Sequence, residues 1–158
     1  EVDTCFTVYG GAISELMDAF TRQDKIKYIC PHHEQAAGFM AEGYAKLRGF
    51  GFCLVTSGPG AGNIITPIQN CYYDSAPVLF ITGQVNSRFL RPSTEVRQRG
   101  FQETPVIEIV RSITKYCAQP LNTYELRNCL SVAITECKEG RKGPVLLDIP
   151  SDVQKANV

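Results

Sequence analysis

The chain has 158 residues, 44% of them hydrophobic and 20% charged, and its 16 Lys and Arg balance its 16 Asp and Glu. That length fits one domain around a single core, and the apolar fraction with zero net charge excludes a disordered chain. No apolar run approaches the roughly 18 residues of a membrane span, and Arg88, Arg91, Arg97 and Arg99 make only a local basic cluster, so neither a membrane nor a nucleic acid is an expected partner.

The first β-type run, Thr4 to Val8, ends at Gly10-Gly11, after which Ile13, Leu16, Met17 and Phe20 recur at helical spacing. A strand near Ile26 to Cys30 precedes a helix from about His33 to Arg48, with Ala37, Met40, Tyr44 and Leu47 expected inward. Phe52 to Thr56 reads as a buried strand, followed by the turn Ser57-Gly58-Pro59-Gly60 and a helix carrying Ile64, Ile65, Ile68 and Cys71. Val78 to Thr82 and Ile113 to Ala118 are two further strands, and Gln84 to Phe101 reads as a long loop of the kind that often carries function. Asn122 and Glu125 form a capping box for the last helix, whose stripe is Leu126, Leu130, Ala133 and Cys137 and whose stop is Gly140; Val145 to Ile149 closes the pattern. Strands alternating with helices predict an α/β fold, a three-layer α/β/α sandwich with a central, mainly parallel sheet of about six strands. The domain is expected to run over 1–150. Because the chain starts at Glu1 rather than Met and turns polar after Pro150, it is read as a piece of a longer protein, with 151–158 opening a linker to a missing domain.

Seven cysteines are an odd number without a C-x-x-C pair, and they read as reduced core thiols of a cytoplasmic protein, or of an organelle matrix protein whose transit peptide has been removed. No metal site is expected, since His32 and His33 lie at ligand spacing from no Cys.

Ligands of open α/β sheets bind beyond the carboxyl ends of the strands, which directs attention to Gly10-Gly11, His32-His33-Glu34, Ser57 to Gly60, Gly83-Gln84 and Ser151-Asp152. Glycine turns there leave helix N–H groups open to an anion, yet Ser57 to Asn63 lacks the P-loop pattern and matches G-x-G-x-x-G only in part. Glu34 stands out as a carboxylate heading an almost uncharged helix start. From the residues alone it is either a dipole-stabilised surface acid or an acid facing an apolar cleft.

Five segments in order, His33-Glu34-Gln35-Ala36-Ala37-Gly38-Phe39-Met40-Ala41-Glu42-Gly43-Tyr44-Ala45, Val55 to Asn63, Ile81-Thr82-Gly83-Gln84-Val85, Phe101-Gln102-Glu103-Thr104 and Gly143 to Pro150, resemble the N-terminal pyrimidine-binding domain of thiamine-diphosphate enzymes. The nearest subgroup is acetolactate synthase. The resemblance implies that Glu34 is catalytic, hydrogen-bonding the cofactor's aminopyrimidine N1′ so that N4′ can deprotonate the thiazolium, whose ylid attacks a 2-keto acid. It implies that Ser57, Gly58, Pro59, Gly60 and Asn63 join Glu34 around the pyrimidine, and that Gly10, Gly11, Ala12, Phe101 and Gln102 form the substrate pocket.

It also implies a second domain that holds the diphosphate and its Mg²⁺, contributed by another subunit of a homo-oligomer, and in some members FAD. This chain is expected to be inactive alone. Two departures from the family pattern are Tyr9, where acetolactate synthases usually have Pro, and the missing Gly-Thr-Asp run before Phe101. Tyr9 adds bulk beside the active loop, which leaves the identity of the keto acid, pyruvate or another, open at this point. Competing readings are the same domain from a 2-keto acid or oxalyl-CoA decarboxylase, a non-catalytic docking module with this fold, and a flavodoxin-like nucleotide binder suggested by the Gly58 to Gly62 turn.

Overall fold

The computed structural model describes residues 2–93 and 95–156; Glu1, Thr94 and the last two residues of the stretch 151–158 lie outside them. Six parallel strands, β1 (Thr4–Val8), β2 (Lys27–Ile29), β3 (Gly51–Val55), β4 (Val78–Gln84), β5 (Tyr116–Ala118) and β6 (Val145–Pro150), form one sheet in the order β2-β1-β3-β4-β6-β5. The central strands β4 and β6 are buried along their whole length, as near-continuous apolar runs such as Val78-Leu79-Phe80-Ile81 require of a sheet covered on both faces. The edge strand β2 has three residues, all exposed.

Two cores result. On one face Phe80, Val55 and Leu146 pack under α2 (Glu34–Arg48), α3 (Pro59–Asn63), α4 (Ile65–Asp74) and α5 (Val106–Val110). On the other, Leu54, Ile81 and Leu147 pack under α1 (Ser14–Thr21), α6 (Thr123–Lys138) and α7 (Ser151–Lys155). The α6 cap has the expected form: Asn122 Oδ1 accepts from Glu125 N–H at 2.9 Å, and Glu125 Oε2 accepts from Leu121 N–H at 2.8 Å. Of the seven expected core thiols, Cys5, Cys53, Cys71 and Cys137 are buried and Cys117 and Cys129 half-buried, whereas Cys30, after the exposed edge strand β2, is itself exposed.

The inward face of α2 differs from the expectation. Ala37 is fully buried and Tyr44 meets Phe6 edge-on with ring centroids 5.9 Å apart, but Met40 and Leu47 are 42% and 87% exposed. Small residues, Gly38, Ala41 and Ala45, face the core instead. Size decides here rather than hydrophobicity: a Cβ at Gly38 would stand 2.4 Å from Pro67 Cγ, so α2 and α4 approach too closely for a long side chain. Buried beside them, Glu42 accepts two contacts from Asn70 Nδ2 at 2.8 and 2.9 Å and pairs with Lys46 at 2.6 Å.

Other boundaries also shift. The helix after the glycine turn is two helices meeting at Ile64, and α5 occupies a stretch with no helical signal. The expected strand from Ile113 shortens to β5, because Arg111–Ile113 is a 3₁₀ turn; the long loop holds another at Ser87–Phe89. Residues 151–155, read as the head of a linker, form α7, with Val153 buried and Gln154 Nε2 donating to Ala12 O at 2.8 Å.

Candidate active site

The chain leaves β1 through α1 toward β2 and returns to β3 on the opposite side, which opens a crevice beyond the carboxyl ends of β1 and β3. Thr56, immediately after β3, ties the two ends together. Its Oγ1 accepts from Ala12 N–H at 3.3 Å, and a Cβ at Gly10 would lie 2.4 Å from Thr56 Cβ, so only glycine fits there.

Glu34 begins α2 directly after its N-cap His33, whose Nδ1 accepts from Gln35 N–H at 3.1 Å; both His32 and His33 are exposed. The half-buried Glu34 carboxylate accepts from Asn63 Nδ2 through Oε2 at 2.8 Å. Burial above all, then the thiols of Cys5 and Cys71 and the Glu34 charge, hold the Cys53 thiol well above its ordinary range, which sets Glu34 at the margin of the core. The other oxygen, Oε1, faces the space left by Gly60: a Cβ there would stand 3.5 Å from it and 2.7 Å from Thr56 Cγ2. Gly58 turns the chain with φ +60, and a Cβ on it would strike Gln102 Cβ at 2.7 Å. Pro59 is exposed at the start of α3. The arrangement fits the edge of a flat nitrogen heterocycle: an acid with one oxygen fixed by an amide and the other open beside a glycine turn.

Gly11, Ala12, Ser57, Phe101 and Gln102 come together around an open cleft of about 320 Å³. Glu34 and Asn63 are not in its wall. Tyr9 is 63% exposed and does not line this cleft, so the bulk expected beside it is directed elsewhere.

Thr56 and Val85, to which sequence reasoning assigned no role, share the cleft wall with Gln84 and Ser151, which it marked only by their position after a strand. All four follow the end of a strand or close one, and that position was the available signal. It also gave no role to Asp148, a charge inside the apolar strand β6. The Asp148 carboxylate accepts from Thr82 Oγ1 at 2.7 Å, Gln84 Nε2 at 2.9 Å and Gln119 Nε2 at 2.6 Å. Burial nevertheless prevails over these three bonds and raises its pKa to about 6. Among the described residues no group of three or more His, Cys, Asp or Glu side chains is placed to hold a metal ion, and no helix is long and apolar enough to cross a membrane.

The family model for the N-terminal TPP binding domain of thiamine pyrophosphate enzymes matches residues 1–109, a span that takes in every candidate residue from Gly10 to Gln102. The chain is 40% identical over 155 residues to the chloroplastic acetolactate synthase 2 of Nicotiana tabacum, covering 98% of this chain and 22% of that protein. It is 43% identical over 156 residues to the mitochondrial acetolactate synthase catalytic subunit of Saccharomyces cerevisiae, again 98% of this chain and 22% of the relative. Against the acetolactate synthase large subunit of Corynebacterium glutamicum it is 39% identical over 157 residues, 99% of this chain and 24% of the relative. The chain thus spans less than a quarter of the length of these relatives. With the family match running through the crevice and its acid, the chain belongs to the N-terminal TPP-binding domain family of the thiamine pyrophosphate enzymes.

Proposed function

We propose that the chain supplies the aminopyrimidine half of the active site of an acetolactate-synthase-like enzyme, which decarboxylates a 2-keto acid and ligates the two-carbon unit to a second keto acid. The observation that carries the reading is the Glu34 carboxylate, held by Asn63 on Oε2 and open at Oε1 over the space that Gly60 leaves. Thiamine diphosphate, when bound, supplies the nucleophilic carbon and the electron sink that 2-keto acid decarboxylation needs.

In this chain, Glu34 Oε1 would hold a proton toward a bound aminopyrimidine, Asn63 keeps the carboxyl from turning away, and Gly58 and Gly60 would admit the ring. Pro59 presets the backbone at the start of α3, and Ser57 closes the turn against the cleft. Gly10, through its contact with Thr56, holds Gly11 and Ala12 at one wall of the cleft, with Phe101 and Gln102 at the other. The diphosphate and Mg²⁺ belong to a second domain outside 1–150, contributed by another subunit of a homo-oligomer, and FAD, where used, to a third. The reading assigns the chain to the cytoplasm or an organelle matrix.

The test is calorimetric titration of thiamine diphosphate with Mg²⁺ into this chain, alone and together with a diphosphate-binding domain of the same enzyme. Binding in the mixture, lost in Glu34→Gln while the far-UV spectrum and melting temperature hold, is the expected result. Undiminished binding in Glu34→Gln refutes the role of the acid. In the full-length enzyme, an aldehyde product in place of a branched acetohydroxy acid refutes the ligase half of the reading.

A further inference from the structure

Phe101 and Gln102 stand at the end of an eighteen-residue excursion from β4 that has almost no regular structure, and Phe101 is 84% exposed at the cleft. Gln102 has φ +58, a left-handed conformation that a residue with a side chain adopts only when its surroundings hold it there. Gly58 presses against it, since a Cβ on Gly58 would lie 2.7 Å from Gln102 Cβ and 2.9 Å from Gln102 O. Contact alone does not keep an exposed loop in place, and the two residues that follow the pair supply the fixing points.

Glu103 is the first of them. Its Oε1 accepts from Arg91 N–H at 2.6 Å, and its Oε2 accepts from Arg99 N–H at 2.9 Å and Gly100 N–H at 3.3 Å. One side chain, 8% exposed, therefore gathers three backbone donors, one from within the loop and two from its C-terminal end. Its backbone is committed as well: Glu103 N–H donates to Gly100 O at 3.1 Å and Glu103 O accepts from Gln98 Nε2 at 3.3 Å. The second fixing point follows at once, where Thr104 O accepts from Gln84 Nε2 at 2.9 Å, and Gln84 is in turn bound to Asp148 on β6. Burial pushes the Glu103 carboxyl up, but the three backbone N–H groups and the nearby Arg91 charge together hold it below its ordinary value.

We propose that Glu103, which does not line the cleft, is a positioning residue that sets Phe101 and Gln102 as the keto-acid wall of the pocket. The assignment rests on the function proposed above. A neutral amide at this position keeps one acceptor oxygen for donors that now reach two, so Glu103→Gln frees at least one anchor at nearly unchanged volume. Glu103→Asp keeps the charge but withdraws it by one methylene, and serves as the second variant.

The chain contains no Trp, so Phe101→Trp makes a single fluorescent reporter at the wall. Adding Glu103→Gln to that reporter is expected to raise its acrylamide quenching constant at least two-fold and to lower its anisotropy, with Glu103→Asp intermediate. In the full-length enzyme with Phe101 intact, Glu103→Gln is expected to raise KM for the 2-keto acid about ten-fold, with kcat and thiamine diphosphate Kd changed less than two-fold. An unmoved reporter in both variants overturns the proposal. So does a loosened reporter with KM unchanged, which makes Glu103 a loop staple and nothing more. Wild-type enzyme that binds thiamine diphosphate through Glu34 yet turns over no 2-keto acid overturns the parent reading and the keto-acid wall together, while the reporter still decides what Glu103 holds.

Discussion

Replacing Asp148 by Asn should reverse the sign of its effect on stability with pH. In the folded chain the carboxyl titrates at about 6, raised chiefly by burial, against an ordinary value of 3.8 in the unfolded chain. The folded state therefore binds more protons between these values, and this group's contribution to stability falls as pH rises from about 4 to about 6 and is flat above. At about 1.4 kcal/mol per pH unit, ionised Asp148 costs the fold about 3 kcal/mol at pH 8 and less than 1 kcal/mol at pH 4. Because the side chain is 1% exposed, solvent screening does little to reduce that figure. In Asp148→Asn the amide oxygen can accept from Gln84 and Gln119, while the amide nitrogen donates to Thr82 Oγ1; the Thr82 proton then loses its acceptor, at about 1 kcal/mol. That loss is independent of pH. The variant should be the less stable protein at pH 4 and the more stable at pH 8, the difference swinging by about 2–3 kcal/mol. Urea denaturation of both proteins at half-unit intervals from pH 4 to pH 8 measures it, and parallel stability profiles refute the assignment of the buried charge.

Gly38→Ala should destabilise by about 1–3 kcal/mol, read as a lower urea midpoint, because its Cβ would enter the rigid Pro67 ring at 2.4 Å with only helix movement to relieve it. Asn63→Asp removes the donor to Glu34 and sets a second carboxyl about 2.8 Å from it, so thiamine diphosphate affinity in the assembled site, measured by calorimetric titration, should fall at least about ten-fold with the fold retained. The face of α2 that carries Phe39, Met40 and Leu47 at 41%, 42% and 87% exposure should drive self-association at high concentration, which sedimentation equilibrium detects and Leu47→Asp should weaken.

The fold was largely readable because its evidence is local. Strand runs such as Val78 to Ile81 and the Asn122–Glu125 box state their structure within a few residues. The inward face of α2 was not readable from hydrophobicity, because the partner that demands small residues there, Pro67, comes from another helix. Glu34 divides the same way. Its residues alone favoured a surface acid over a cleft acid, since its partner Asn63 is 29 positions away and its open side is defined by an atom that Gly60 lacks. The resemblance implies a role for Glu34, and the proposed function takes it up on the geometry of Asn63 and Gly60.

Asp148 shows how much further a sequence can be taken once the strand order is known. A charge in the strand Val145-Leu146-Leu147-Asp148-Ile149, covered on both faces, must be met by donors at its own level in the neighbouring strands. The register sets Thr82 opposite Asp148 and Ala118 opposite Leu147, so the donors have to be Thr82, Gln84 two residues on along the same face, and Gln119. Those are its three partners. Gln84 spends its remaining amide proton on Thr104 O, so a charge buried in the sheet is joined by two hydrogen bonds to the segment that carries Phe101 and Gln102. A strand residue without any place in the cleft is thereby tied, through Gln84, to the segment that forms the cleft's wall.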